Sequence, residues 1–314
     1  MNNFTLNQPA DVGDAIRAAA RPDTAFIAGG TTVIDLWKLG AYHFSELVDL
    51  SQLNLRDITA GPNGLKLGAL ASMNEVGEHP DVKANYPVVS QALLLSASPQ
   101  IRNMGTMGGN LLQRPRSVTY RNPDPGRKDG PSRFDAIFGI TPSSRAPHPS
   151  DLAVALTALD ASVRVQGMNG GERVLKLSDL YKLPGPDLRF DTLQPGDLIV
   201  GVEASVPFAR RSAYIKIRDR ASYQFAVVSA AVALDTNAGT IREARVAAGG
   251  VGTIPWRLPS VEAALSGKPA SDDTFRQALA GLETGSKVTP ETQFKIPLLK
   301  QTILRALGAA GAIA

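Results

Sequence analysis

The sequence predicts an α+β protein in two parts. Three observations carry that expectation: an opening β-α-β alternation, a series of strand candidates between residues 198 and 248, and three helical segments that close the chain. Strands followed by helices argue for a separately packed α+β unit. The division falls near Pro207, giving parts 1–207 and 208–314. A chain of 314 residues has room for two or three domains.

The elements follow in order. Phe4-Thr5-Leu6 is a short strand candidate. Asp11 to Ala20 has helical composition, with Val12, Ile16 and Ala19 at i, i+4, i+7 spacing. Pro22 and Asp23 close it, and Thr24 to Ala28 is a short apolar strand. Gly29-Gly30-Thr31-Thr32 forms a tight turn that feeds a helix over Val33 to Leu39, with Gly40 as its C′ residue. Leu47 to Leu50 and Leu65 to Leu70 read as strands, the second preceded by the turn Gly61-Pro62-Asn63-Gly64. Ser72 and Glu75 have capping-box spacing and start a helix. Pro87 to Ala97 is a further helix, with proline in its first turn.

Residues 114 to 149 are rich in Pro, Arg and Ser and lack periodicity. Structureless loops of this length are uncommon inside compact domains and are usually functional or disordered. Beyond it, Asp151 to Leu159 reads as a helix and Ala161 to Val165 as a strand. Strands are predicted over Leu198 to Val206, Ala213 to Ile217, Phe225 to Leu234 and Ile241 to Ala248. Helices are predicted over Ser260 to Leu265, Asp272 to Leu282 and Pro290 to Leu307.

Composition narrows function by exclusion. The hydrophobic fraction of 43% and charged fraction of 20% are those of an ordinary globular chain. A net charge of +4 with scattered basic residues gives no stripe for nucleic acid; the densest run, Arg114 to Arg133, is diluted by Pro and Gly. No stretch approaches the roughly 20 apolar residues that span a bilayer. Met1-Asn2-Asn3-Phe4 lacks the basic and apolar regions of a signal peptide, so a cytoplasmic location is expected. Cysteine is absent, which excludes disulfides, thiolate nucleophiles and Cys-ligated zinc or iron–sulfur sites on this chain. The three histidines, His43, His79 and His148, are too far apart in sequence to suggest a metal site. Hard chemistry here needs a bound organic cofactor.

Two segments offer backbone rather than side chains. Ala28-Gly29-Gly30-Thr31-Thr32 lies between a strand and a helix, where glycines permit positive φ and close approach of a ligand. Successive N–H groups and a helix N-terminus there form an anion site, with two threonine hydroxyls added. Gly105-Thr106-Met107-Gly108-Gly109-Asn110 is similar in make-up. Taken alone, each segment is better read as an ordinary turn, the first as a helix entry and the second as a β-turn or bulge. Neither fits the dinucleotide fingerprint G-x-G-x-x-G or the P-loop G-x-x-x-x-G-K-[ST]. Two such segments in one domain suit a large ligand with a pyrophosphate, and the residues by themselves go no further than that.

A resemblance goes further. Phe26-Ile27-Ala28-Gly29-Gly30-Thr31-Thr32-Val33 resembles the first FAD-binding segment of the medium subunits of molybdenum hydroxylases, the family of xanthine dehydrogenase, carbon monoxide dehydrogenase and bacterial aldehyde oxidoreductases. The stretch from Gln100 to Leu111 resembles the second segment, and His148-Pro149-Ser150-Asp151-Leu152 the third. Ile215 to Tyr223, with Phe225-Ala226, is similar to the start of the family's C-terminal domain. The similarity is greatest to bacterial aldehyde oxidoreductase FAD subunits and runs along essentially the whole chain. It implies a two-part FAD-binding domain of the vanillyl-alcohol oxidase-like type, followed by a smaller domain of antiparallel sheet and helices. It implies that backbone from Ile27 through Ala28, Gly29, Gly30, Thr31 and Thr32 to Val33 holds the pyrophosphate and ribose. Thr106, Gly109 and Asn110 are then expected on the phosphates and ribityl chain, with Ile101 and Leu112 beside them. Ser150 and Asp151 are expected on ribityl or ribose hydroxyls, and Leu198 and Lys216 near the flavin or adenine edge. On residues alone, Asp151 is equally a helix N-cap, Lys216 an exposed strand residue, and Tyr223 either a flavin shield or a core aromatic.

The resemblance also implies partners: a large molybdenum-cofactor subunit and a small [2Fe–2S] subunit, forming a heterotrimer that passes electrons through FAD to an acceptor of unknown identity. Export with a signal-bearing partner would place the complex in the periplasm instead. No catalytic acid, base, nucleophile or metal ligand is expected from this chain. Related subunits can carry a [4Fe–4S] cluster in the loop after the second segment; loop 113–149 here has no cysteine, and Ser117 stands about where a first thiol is expected, so no cluster is expected. Packing against a partner, through Tyr120, Phe134, Ile137 and Phe138, is the expected source of order in that loop. The rival readings are a stand-alone flavin oxidase and a scaffold subunit without turnover.

Overall fold

The computed structural model describes residues 3–122 and 130–312. The chain begins with strand β1 (Thr5–Asn7), helix α1 (Val12–Ala19), β2 (Thr24–Ile27), α2 (Val33–Lys38) and β3 (Glu46–Asp49). These strands form a parallel sheet in the order β1-β3-β2. Asp11 caps α1, its carboxylate accepting from the Asp14 amide, and the apolar face seen in the sequence buries Ala15, Ile16, Ala18 and Ala19. Gly40 has φ +70°, the left-handed residue that ends α2.

Next come β4 (Ile58–Gly61), β5 (Gly64–Gly68), α3 (Met73–Glu78), α4 (Pro80–Asn85), α5 (Pro87–Leu94), α6 (Pro99–Met104), α7 (Met107–Leu111) and α8 (Val118–Arg121). After α9 (Asp151–Ala158) follow β6 (Ser162–Gln166), β7 (Glu172–Lys176), α10 (Leu177–Leu180) and β8 (Leu198–Ala204). The second sheet has the order β4-β5-β8-β6-β7, antiparallel throughout. The Ser72/Glu75 capping box forms as expected. β4 and β7 were not foreseen: β4 has an interrupted apolar pattern, and β7 is an exposed edge strand whose side chains are mostly charged or solvated.

The chain closes with β9 (Ser212–Ile217), β10 (Val228–Asn237), β11 (Thr240–Gly249), β12 (Trp256–Arg257), α11 (Pro259–Leu265), α12 (Asp272–Ala278) and α13 (Lys295–Gly311). The antiparallel order β12-β11-β10-β9 and the three helices match the sequence expectation, with α13 starting later than Pro290. α13 packs on β9 and β10. Val232, Leu234, Val246, Leu299, Ile303 and Leu307 share one buried cluster there. A different cluster, including Leu65, Val89, Met107, Leu152 and Val202, fills the space between the second sheet and α3, α5, α7 and α9.

The segment after α8 departs from expectation. Its residues 123–129 lie outside the described residues, but 130–149 are tied into this chain's own core. Ile137 and Phe138 donate their amides to Val251 O at 2.7 and 2.9 Å and belong to the C-terminal cluster. Phe138 stacks on Trp256 with centroids 5.3 Å apart. Tyr120 is buried as well; of the four anchors expected to face a partner, only Phe134 is exposed. Buried Lys295 of α13 completes the strap, its Nζ donating to Phe134 O, Asp135 O and Gly250 O at 3.2, 2.7 and 2.7 Å. The apolar residues of 130–149 therefore do internal packing, and this strap is tied to the C-terminal sheet.

Candidate functional site

The first glycine turn leaves β2 and enters α2. Gly30 has φ +72°, a conformation that strains any residue with a Cβ. The amides of Gly29, Gly30, Thr31 and Thr32 have no hydrogen-bond acceptor among the described residues. Four consecutive free N–H groups at a turn form a concave donor surface for an anion. A Cβ on Gly29 would stand 1.7 Å from Met104 O, so only glycine lets this turn touch the second segment at the end of α6.

The second segment is built differently from the reading of it as a second amide nest. Met107 N is bonded to Ala71 O, Gly108 N to Ala69 O and Asn110 N to Thr106 O, at 3.0, 2.9 and 2.8 Å. Thr106 is the N-cap of α7, its Oγ1 accepting from Gly109 N at 3.3 Å. What remains for a ligand is the Thr106 hydroxyl, the weakly held Gly109 amide and a bare surface: apart from Thr106 Oγ1 at 3.0 Å, nothing lies within 4 Å of a Cβ placed on Gly109.

The third segment locks onto the second. Ser150, not Asp151, caps α9, its Oγ accepting from Ala153 N at 2.9 Å. The same hydroxyl donates to Asn110 Oδ1 at 2.6 Å. Asp151 turns inward instead. Its Oδ1 accepts from the Tyr214 hydroxyl at 2.5 Å, and its Oδ2 accepts from Lys216 Nζ at 2.7 Å, with Ser96 Oγ at 2.8 Å. Lys216 is not an exposed strand residue: its side chain is 1% exposed and that of Asp151 6%. A buried ion pair needs extra hydrogen bonds to offset desolvation; Tyr214 and Ser96 supply them to the acid, and Leu95 O, 3.2 Å away, accepts from the ammonium. Burial, together with the Asp151 charge, raises the Tyr214 pKa well above its usual value, so it remains a donor. His148 just upstream accepts from Ser150 N on Nδ1 at 3.4 Å. Burial lowers its pKa to about 3, partly offset by the Leu111 carbonyl.

These segments line two chambers that meet at Thr31, Thr32 and Gly109. The smaller, about 300 Å³, is faced by Ala28, Gly29, Gly30, Val33, Thr106, Leu112 and Leu198 of the expected set. The larger, about 500 Å³, is faced by Ile101, Asn110, Asp151 and Lys216. Leu198 and Lys216, expected near the flavin or adenine edge, thus face different chambers. Ile27 lines neither chamber; its side chain packs beneath the turn near Trp37. Ser150 faces a third cavity.

Sequence reasoning missed Tyr42, Phe44 and Arg114 of the smaller chamber and Asp35, Arg116, Arg220, Gln224 and Phe225 of the larger. Asp35 is paired with Arg116 at 3.0 Å and with Arg121, a pairing that no local spacing signals. Tyr223, with φ +55°, is 57% exposed at the rim of the larger chamber and is no core aromatic.

Two chambers joined by a free-amide turn have room for an extended ligand, with anion-binding donors near the middle. Comparison with known proteins narrows this. Residues 2–208 match the FAD binding domain in molybdopterin dehydrogenase, and residues 213–306 the CO dehydrogenase flavoprotein C-terminal domain. The chain is 38% identical over 329 aligned positions, covering 99% of both chains, to the aldehyde oxidoreductase FAD-binding subunit PaoB of Escherichia coli (strain K12). It is 27% identical to the glyceraldehyde dehydrogenase medium chain of Sulfolobus acidocaldarius, over 87% of this chain and 83% of that one. The fold is that of carbon monoxide dehydrogenase from Hydrogenophaga pseudoflava, with a TM-score of 0.79 at 23% identity over 100% of this chain and 99% of that one. The chain belongs to the FAD-binding medium subunits of the molybdenum hydroxylase family, which are oxidoreductase subunits.

Proposed function

We propose that this chain holds one FAD non-covalently across the two chambers and relays electrons within an aldehyde-oxidising molybdenum hydroxylase. The observation that carries this reading is the meeting of the chambers at Thr31, Thr32 and Gly109, where the run of free amides that starts at Gly29 ends. The residues fit the cofactor. A pyrophosphate placed there meets four N–H donors and three hydroxyl groups, those of Thr31, Thr32 and Thr106. The adenosine half enters the smaller chamber against Leu112 and Leu198, and the larger tricyclic half enters the larger chamber near Ile101, Asp151 and Lys216. Asn110 and Ser150 fix each other and so fix the wall along which the ribityl chain runs.

Bound flavin supplies the ability to take up and release electron pairs. The protein's own residues orient it, exclude water and set the charge around it. Lys216 presents a positive group whose Nζ is anchored by Asp151, so it is held in place and not drawn to the ligand by diffusion of a free side chain. Substrate oxidation falls to a large molybdenum-cofactor partner and electron supply to a small [2Fe–2S] partner, as membership of the molybdenum hydroxylase family suggests. The compartment follows from those partners; among the described residues no helix is long and apolar enough to cross a membrane. The division near Pro207 separates the flavin-holding part from the C-terminal sheet, which contributes Lys216 across the boundary.

Non-covalent attachment is expected because the chain has no cysteine and none of its three histidines lines either of the two chambers. Purification of a tagged chain from cells carrying its neighbouring subunits tests the reading. The expected result is a complex with a larger and a smaller chain, containing molybdenum, iron and one acid-releasable FAD per copy. A chain that purifies alone and oxidises aldehydes without molybdenum would replace the relay by a self-sufficient flavin oxidase.

A further inference from the structure

The smaller chamber carries polar groups of its own, apart from the free-amide turn. Its charged residues are Arg114, Asp191 and Asp197. Asp197 is committed to the fold. Its Oδ1 accepts from Arg173 Nη1 at 3.1 Å, and its Oδ2 accepts from Gln194 N at 2.6 Å and from Arg173 Nη2. Asp191 is only half committed. Its Oδ1 accepts from Arg189 Nη2 at 3.0 Å and from the Leu193 amide at 3.2 Å. Its Oδ2 accepts no hydrogen bond among the described residues, although only 13% of the side chain is exposed. A carboxylate oxygen so far withdrawn from water calls for a donor.

Arg114 stands in the same wall region. Its guanidinium lies over the Tyr42 and Phe190 rings, 5.6 and 5.3 Å from their centroids, and donates from Nη1 to Leu188 O at 3.5 Å. It pairs with no carboxylate among the described residues. Burial raises the Tyr42 pKa, while Arg114 lowers it and Asp191 raises it, so both charges lie close to that one phenol.

The chamber thus offers an acceptor, Asp191 Oδ2, and a donor group, the Arg114 guanidinium, beside one aromatic residue. A base edge with an amino group next to an unprotonated ring nitrogen matches that pair. Adenine has such an edge, its N6 donating and its N7 accepting. Guanine and hypoxanthine carry a carbonyl oxygen at the same place, and there it would meet a carboxylate. A site built around a hydrogen bond to one group rejects an analogue that lacks it, because the protein atom is then left unpaired.

We propose that Asp191 is the specificity-determining residue of the smaller chamber, its Oδ2 accepting from the exocyclic amine of an adenine base. The proposal deepens the reading of that chamber as the site of the adenosine half, and rests on it. Arg114 donates to a ring nitrogen beside the amine, and Leu112 and Leu198 give the base its aliphatic walls. Arg189 and the Leu193 amide hold Oδ1 and so fix which oxygen is presented. The chain thereby chooses among dinucleotides in the chamber that does not hold the flavin ring.

The test uses the full chain freed of flavin, with FAD and its deamino analogue, flavin hypoxanthine dinucleotide, as the two probes. They share the flavin, the pyrophosphate and both sugars, so the ratio of their affinities in equilibrium dialysis reads the base alone. The parent is expected to prefer FAD by about 10- to 100-fold, the factor for one hydrogen bond to a charged group. In Asp191→Asn the remaining oxygen stays with Leu193 N and Arg189, so the amide nitrogen takes the place of Oδ2 and donates. The ratio is expected to fall to about one, or to invert in favour of the analogue. Asp191→Ala removes the group without replacing it and is expected to bring the ratio to about one. A merely structural role would lower both affinities together and leave the ratio at its parental value; that outcome in both variants overturns the proposal. A parent that binds both probes equally overturns it as well. A parent that binds neither probe fails instead the reading of the two chambers as the FAD site.

Discussion

Replacing Lys216 by Met separates what this residue does for the fold from what it does for the ligand. Methionine keeps most of the side-chain length and volume, so little of the effect comes from a cavity. What is lost is the ammonium 2.7 Å from Asp151 Oδ2, in a pair whose side chains are 1% and 6% exposed. Breaking a buried pair by removing one partner costs about 3–5 kcal/mol, because the other charge stays buried and uncompensated. Asp151 keeps the Tyr214 and Ser96 hydroxyls, and Leu95 O keeps a donor in Arg218 Nη1 at 2.9 Å. The cost is therefore placed near about 3 kcal/mol, the lower end of that range. Adding Asp151→Asn neutralises the stranded carboxylate and is expected to recover about half of the loss. Urea denaturation of the flavin-free chain, followed by the fluorescence of Trp37 and Trp256, reads the stability cycle; visible absorbance after reconstitution reads flavin. The double variant is expected to regain stability but not flavin affinity. A single variant within about 1 kcal/mol of the parent would refute the buried-pair argument. A double variant that regains full flavin content would refute the placement of Lys216 at the ligand.

Other outcomes follow from the same geometry. Gly29→Ala puts a methyl group 1.7 Å from Met104 O, so the turn must retreat from α6; flavin affinity measured by equilibrium dialysis is expected to fall by at least about 100-fold, and parent-like affinity would remove this turn from the site. His148 titrates near 6.5 when unfolded and at about 3 when folded. Its burial as neutral imidazole is without pH dependence above 6.5, and stability is lost as pH falls from there toward 3, at about 1.4 kcal/mol per unit. His148→Gln is expected to flatten the unfolding free energy between pH 6.5 and 5, and an unchanged slope would contradict this. Lys295→Met leaves the Phe134, Asp135 and Gly250 carbonyls without their shared donor, at a cost of about 2–4 kcal/mol; limited proteolysis is expected to cut within 130–149 sooner than in the parent, and equal cleavage would show that the strap does not depend on this clip.

Most of the fold was legible because its elements announce themselves locally. Val12, Ile16 and Ala19 mark a helix face, Ser72 and Glu75 a helix start, and the apolar runs over 228–234 and 241–248 buried strands. Elements without a local signal were missed. β7 lies at a sheet edge, where solvated charges replace the alternating pattern. The strap at 130–149 was misread for a related reason: Ile137 and Phe138 were visible as apolar anchors, but nothing in a non-periodic segment says which surface they seek. The surface is this chain's own C-terminal core.

The site divides along the same line. Its backbone component, Gly29 to Thr32, could be found because glycine next to hydroxyl residues between a strand and a helix is a local pattern with a physical purpose. The second segment shows the limit of that argument: the same kind of composition at Gly105 to Asn110 spends its amides on Ala69, Ala71 and Thr106 and leaves a bare surface in place of a nest. Composition specifies that the chain can approach a ligand closely there, and tertiary pairing decides which donors remain. Lys216 shows the converse. Alone on a strand it reads as solvated, and only its meeting with Asp151, 65 residues upstream and on another element, makes it a buried cation facing a ligand chamber. The charges that surround the proposed flavin, Asp35 with Arg116 and Arg121 as well as Asp151 with Lys216, all depend on such long-range pairs. The part of the site proposed to hold the phosphates is thus written locally in the chain, and the part proposed to set the field around the flavin is written only by the fold.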